Sequence, residues 1–76
     1  MKKSYELFQE IIARRGLSSY VVAMRSAVPE SAFSLWKRKG VVPKFERMWR
    51  IAKTLSTPEE EVKPEWFYEA DIRGEE

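Results

Sequence analysis

Side chains able to bind an anionic partner are concentrated between residues 30 and 47 of this 76-residue chain. Ser31 and Ser34 supply hydroxyl groups, which both donate and accept hydrogen bonds. The cations of the stretch are Lys37, Arg38, Lys39, Lys44 and Arg47. Lysine and arginine bind phosphate groups through charge-assisted hydrogen bonds. The stretch therefore favours recognition of a polyanion.

The residue types that most catalytic and metal sites need are missing or badly spaced. The chain has no histidine and no cysteine, which removes the commonest general base, the commonest metal ligand and thiol chemistry. Glu59, Glu60 and Glu61 are consecutive, so on a helix their carboxylates would diverge and could not enclose a metal. We expect no enzymatic activity, no cofactor and no bound metal.

Charge is distributed unevenly along the chain. Residues 1–53 contain twelve Lys/Arg and four Asp/Glu, a net charge of +8, whereas residues 54–76 contain two and eight, a net charge of −6. A polyanion would attract the first part and repel the second. The alternative is that solvated helix faces merely differ in charge, and composition alone does not decide between the two.

Length and hydropathy predict one small domain. An apolar fraction of 43% is enough for a single core in a chain of this length. The longest apolar run, residues 20–24, is far too short to span a membrane, and the N-terminal residues contain no signal-peptide core. We expect a single cytoplasmic domain over residues 1–70, an acidic disordered tail over residues 71–76, no membrane contact and no small-molecule ligand.

Helical periodicity runs through every strong segment, so we predict an all-α fold of five short helices. The predicted helices are Ser4–Arg15 with Ser4 as its cap, a short helix capped by Ser18 or Ser19, Pro29–Lys39, Pro43–Leu55, and a fifth that begins at the capping box Thr57-Pro58-Glu59-Glu60. Gly16 ends the first helix, and Pro64 must end, kink or restart the fifth.

Hydrophobic positions predict which face of each helix is buried. On the third helix Ala32, Phe33 and Trp36 cluster on one side, which leaves Ser31, Ser34 and Arg38 on the other. On the fourth helix the predicted inner stripe is Phe45, Met48, Ile51, Ala52 and Leu55, with Glu46, Arg50 and Lys53 outside and Trp49 at the edge. The polar face of the third helix is therefore predicted to face solvent.

The second and third helices, with the turn between them, have the pattern of a helix-turn-helix. This motif places its second helix in the major groove of DNA. Ala23 is small where the two helices approach, and Val28 can anchor the turn to the core. Ser31 and Ser34 can reach base edges, and Leu35 can contact a thymine methyl group, although an ordinary exposed leucine is the alternative.

The stretch from Leu7 to Val62 resembles the Cro/CI-type (XRE-family) helix-turn-helix domains of phage and bacterial regulators. The motifs that carry the resemblance are IIARRGLS at residues 11–18, VA at residues 22–23, SAFSLWK at residues 31–37, PKFE at residues 43–46, IAKTL at residues 51–55 and TP at residues 57–58. The resemblance implies a compact five-helix, lambda-repressor-like domain. It also implies a sequence-specific transcriptional regulator, a repressor or Cro-like switch protein, that binds a double-stranded DNA operator.

The resemblance implies roles for individual residues. Base contacts are implied at Glu30, Ser31, Ser34 and Leu35, although Glu30 is also favoured simply by the helix dipole. The candidate phosphate contacts are Ser19, Lys37, Arg38, Lys39, Lys44 and Arg47. Residues 37–39 could also be only a solvated last turn, but the resemblance favours the phosphate role. Ala27 departs from the family, which usually has glycine there, so we expect a strained positive φ.

The aromatic segment Trp66-Phe67-Tyr68 cannot face one core with all three side chains. Operators of this kind are usually bound by symmetric dimers, so we expect a homodimer, at least on DNA, with Trp66 and Phe67 as candidate contacts. The same segment supports a second hypothesis, a protein-interaction module such as an antitoxin or an adaptor. The basic charge around the third helix favours DNA.

Overall fold

The fold is known from a computed structural model, which describes residues 3–74 and the side chains of residues 3–70. In this part of the chain five α-helices form and no strand. They are α1 (Ser4–Arg15), α2 (Ser19–Ser26), α3 (Glu30–Lys39), α4 (Phe45–Leu55) and α5 (Glu65–Gly74). The all-α prediction is confirmed.

The ends of the first two helices follow local backbone chemistry. Gly16 ends α1 with a φ of 67°, and the Ser18 hydroxyl caps α2 by accepting a hydrogen bond from the Val21 amide over 3.2 Å. Ala27 ends α2 with a φ of 57°, the strained left-handed conformation that the sequence predicts. Ser4 does not cap α1, because Lys3 is the N-cap residue. Ser4 is instead the first residue of the helix, and its side chain is buried.

The fifth helix begins later than the capping box predicts. The Thr57 hydroxyl does accept a hydrogen bond from the Glu60 amide over 3.0 Å, but the Thr57 amide donates to the Glu60 carbonyl oxygen over 2.8 Å. These bonds close an isolated turn. Because Pro64 disfavours a helical conformation at the residue before it, α5 begins only at Glu65.

The predicted disordered tail also differs from the structure. Helix α5 continues through residues 71–74 and ends at Gly74. Residues 75 and 76, the remainder of that predicted tail, lie outside the described residues.

An aromatic cluster centred on Trp36 holds α3 against the other helices. Its ring lies 5.1 Å from that of Phe8, 5.4 Å from that of Tyr5 and 5.8 Å from that of Phe67. The indole Nε1–H donates to the Ser4 hydroxyl over 2.7 Å, so the buried N–H has an acceptor. Trp36 and Phe33 therefore fix the inner face of α3, as predicted.

One residue of the predicted inner stripe of α4 is at the surface. Met48, Ile51, Ala52 and Leu55 are buried, but Phe45 is 56% exposed. Phe45 is the first residue of α4, so its side chain lies at the edge of the core and not over it.

Candidate nucleic-acid interface

The outer face of α3 is open to solvent. Glu30 and Ser31 are exposed, Ser34 is half-buried and Leu35 is 41% exposed. These are the four side chains predicted to contact bases. They are held there by the buried inner face of the same helix, so a rigid helix presents a short polar surface with one apolar residue.

The last turn of α3 carries three exposed cations, Lys37, Arg38 and Lys39. Positive side chains are favourable there because the C-terminal end of a helix carries partial negative charge. Gly40 then adopts a φ of 69°, and its amide donates to the Trp36 carbonyl oxygen over 3.0 Å. The chain can therefore turn sharply from α3 towards α4.

A groove of about 520 Å³ opens between α3 and the start of α4. Its lining residues are Ala32, Leu35, Val41, Val42, Pro43, Lys44, Glu46, Arg47 and Arg50. The groove brings one predicted base contact, Leu35, together with two predicted phosphate contacts, Lys44 and Arg47. We refer to it below as the α3–α4 groove.

Arg50 in this groove is a residue that sequence reasoning missed. It was predicted to lie on the outer face of α4, yet it is half-buried and lines the α3–α4 groove. Arg47 and Arg50 are three residues apart, and side chains at this spacing share one face of a helix. The three-residue spacing of Arg47 and Arg50 could therefore have predicted that Arg50 lies on the same face as Arg47.

A second groove, of about 600 Å³, lies between the last turn of α3 and the start of α1. Lys37 and Lys39 line it, together with Lys3. Four of the six predicted phosphate contacts are thus divided between two grooves that both adjoin α3. Arg38 lines neither groove, and Ser19 is half-buried at the start of α2.

Most of the cations around α3 have no carboxylate partner. Within the part of the chain that the structure describes, no ion pair is formed by Lys37, Arg38, Lys39, Lys44, Arg47 or Arg50. By contrast, Arg15 Nη2 lies 2.6 Å from Glu60 Oε1, and Arg14 Nη2 lies 3.6 Å from the same oxygen. The charge near α3 is therefore available to an external anion.

Tyr68 fixes the segment that precedes α4. Its hydroxyl donates to the Pro43 carbonyl oxygen over 2.9 Å, which links α5 to the residue before Lys44. Burial raises the pKa of Tyr68 above its usual value of 10.0. Tyr68 thus positions one wall of the α3–α4 groove.

The two predicted dimer contacts have different surroundings. Phe67 is fully buried and packs edge-on to Trp36, so the prediction that it contacts a second subunit is wrong. Its side chain fills part of the core instead. Trp66 is half-buried and lines a shallow groove with Leu7, Glu69 and Ala70, so it stays a candidate contact.

Two other aromatic residues, Phe45 and Trp49, form an exposed pair four residues apart on α4. Trp49 is 46% exposed, and both residues line a groove between α4 and the segment that follows it. Lys53 Nζ lies 5.2 Å from the centre of the Trp49 ring, within the range of a cation–π contact. This aromatic surface is separate from the outer face of α3.

Within the described range, residues 3–74 with the side chains of residues 3–70, no group of three or more His, Cys, Asp or Glu could hold a metal ion. None of the helices in this range is both long enough and apolar enough to cross a membrane.

Comparisons with known proteins do not assign this chain to a family. No family model matches it, and no curated protein or solved structure matches it significantly.

Proposed function

We propose that this protein is a sequence-specific double-stranded DNA-binding transcriptional regulator of the Cro/CI type. In this proposal α2, the turn after it and α3 form a helix-turn-helix within a lambda-repressor-like domain, and α3 enters the major groove. The observation that carries it is the solvent-exposed polar face of α3 flanked by cations that lack carboxylate partners among the described residues.

The packing of α2 against α3 supports this assignment. Three residues, 27–29, separate the two helices. Ala23 and Val28 are both buried, and the Val28 amide donates to the Ala23 carbonyl oxygen over 3.1 Å. A short first helix, a tight turn and a second helix with an exposed face support this assignment, because the motif combines these elements.

The distribution of charge supports separate roles for two sets of side chains. Ser31 and Ser34 would hydrogen-bond to base edges, and Leu35 would contact a thymine methyl group. Lys37, Lys39, Lys44 and Arg47, in grooves that adjoin α3, would bind phosphates and supply most of the affinity. The operator would be bound by a homodimer, in the cytoplasm.

Selection of bound duplexes from a random pool at moderate salt tests the proposal. We expect enrichment of one sequence, arranged as an inverted repeat if two copies bind symmetrically. We also expect the logarithm of affinity to fall linearly with the logarithm of salt concentration. Binding that is weak, insensitive to salt and without an enriched sequence would contradict the proposal.

A second candidate function, a protein-interaction module such as an antitoxin or adaptor, is favoured by the exposed Phe45 and Trp49. Aromatic residues are enriched at the centres of protein interfaces. The double variant Phe45→Ser/Trp49→Ser separates the two functions. It should leave duplex affinity for a half-site unchanged if DNA is the partner of α3, and should abolish partner binding if this surface is the functional one.

A further inference from the structure

Among the described residues, the Nε atom of the half-buried Arg50 is shielded from solvent and has no hydrogen-bond partner. Arg50 also forms no ion pair within the described residues. Buried polar groups in native proteins are nearly always hydrogen-bonded, so an unpartnered Nε is available to an external acceptor.

The surroundings of Arg50 favour an anion as that acceptor. Lys44 and Arg47 line the same groove, so three cations converge on it, against the single carboxylate of Glu46. Pro43 is buried and Val42 half-buried at its wall. Apolar walls lower the local dielectric, which strengthens hydrogen bonds to an ionised ligand.

We propose that the α3–α4 groove binds a backbone phosphate of duplex DNA, with Arg50 as its anchor. Arginine presents a planar fork of N–H donors that matches two oxygens of one phosphate. Rotation of the side chain towards the groove would give Nε an acceptor. Lys44 and Arg47, which are both exposed, would contact the same phosphate or its neighbour from the rim.

The position of the groove selects DNA over a free anion as the source of the phosphate. Leu35, on the base-reading face of α3, is also a wall of this groove. A phosphate held by Arg50 would therefore lie beside bases contacted by α3, so the contact would set the register of α3 in the major groove. This inference rests on the proposed function and adds the residue that fixes the docking position.

Three variants test the anchor. Arg50→Gln removes the charge, Arg50→Lys keeps the charge but removes the fork, and Lys53→Gln is the matched control on the same helix outside the groove. We expect Arg50→Gln to weaken binding to every duplex roughly tenfold or more. It should also reduce by about one unit the salt slope, which is the slope of the logarithm of affinity against the logarithm of salt concentration. Arg50→Lys should restore the slope but not the affinity, and the control should change neither.

A second measurement uses the unmodified protein, so its result does not depend on whether the Arg50 variants fold. The Nε–H resonance of Arg50 in ¹⁵N-labelled protein should shift on addition of an equimolar duplex, because Nε acquires an acceptor. Inorganic phosphate should produce the same shift only in large excess. The absence of any shift with DNA would overturn the proposal.

The remaining outcomes separate this inference from the proposed function. If the wild-type protein binds duplex DNA with a steep salt dependence and Arg50→Gln behaves identically, Arg50 is not an anchor and only this inference fails. If inorganic phosphate binds as tightly as duplex, the groove is a free-anion site and the assignment to DNA is wrong. If no duplex binds in a salt-dependent way, the proposed function itself fails.

Discussion

The arginines at the end of α1 and the cations around α3 carry the same charge in different surroundings. Arg15 Nε donates to the Leu55 carbonyl oxygen over 3.1 Å, and its Nη2 contacts Glu60. It thus joins α1 to the end of α4 and to the segment that follows. Lys44 and Arg47 are exposed and form no ion pair among the described residues.

This difference shows that positively charged residues clustered in a sequence can have two separate roles, in stability or in ligand binding. A cation paired with a buried or half-buried carboxylate and a helix end stabilises the fold. An exposed cation without a carboxylate partner adds little to stability and is available to a ligand. Substitutions in the two regions should therefore change different measured quantities.

The largest effect on stability is expected for Arg15→Met. The substitution keeps most of the apolar stem but removes the bonds to Leu55 and Glu60, so the free energy of unfolding should fall by about 2 kcal/mol. The salt slope of DNA binding should not change. Urea denaturation measures the first quantity, and Arg25→Met, at an exposed position of α2, is the control. Equal losses in both variants would contradict the structural role of Arg15.

Next in size is the effect of Ser31→Ala on sequence preference. Loss of a hydroxyl contact to a base edge should cost on the order of 1–3 kcal/mol at one base pair, with little change at other positions. Competition between single-substitution duplexes measures this preference, and Gln9→Ala, at an exposed position of α1, is the control. An unchanged preference would shift base recognition to Ser34, Leu35 or DNA shape.

Arg38→Ala and Lys44→Ala are expected to act on binding alone. Each should weaken binding to all duplexes to a similar degree and reduce the salt slope by about one unit, while the free energy of unfolding changes by less than about 0.5 kcal/mol. Lys63→Ala, which makes the same change of charge between α4 and α5, is the control. A substitution that leaves the slope intact removes that residue from the interface.

An effect on stability smaller than that of Arg15→Met is expected for Tyr68→Phe, which releases the segment before Lys44. Loss of the bond to the Pro43 carbonyl oxygen should cost about 1 kcal/mol of unfolding free energy. Because burial raises the pKa of Tyr68 above 10.0 in the folded state, its contribution is fully present below pH 10.0 and is lost as pH rises through the folded pKa.

Measurement of the free energy of unfolding at increasing alkaline pH tests this expected direction. Tyr68→Phe should reduce the decline of unfolding free energy above pH 10.0, whereas Tyr20→Phe, at a side chain that is 56% exposed, should not. A decline that is the same in both variants would mean that Tyr68 is not the responsible group.

Local signals in the sequence predicted the first four helices closely. Gly16 and Ser18 mark the ends of α1 and α2 because the conformations that they require are set within a few residues. The strained Ala27 was predicted from the family resemblance, because the family usually has glycine at that position. The capping box at Thr57 was misleading, since its local hydrogen bond forms but Pro64 disfavours a helical conformation at the residue before it and α5 begins only at Glu65.

The sequence by itself determined that the chain is helical, which face of α3 is polar and where the positive charge is concentrated, because these properties depend on residue type and short-range periodicity. Only the tertiary structure decided which of three adjacent aromatic residues fills the core, which places Phe67 under Trp36. It also decided which cations are paired and that Arg50 faces a groove. Those properties depend on contacts between residues far apart in the chain, which periodicity along one helix does not encode.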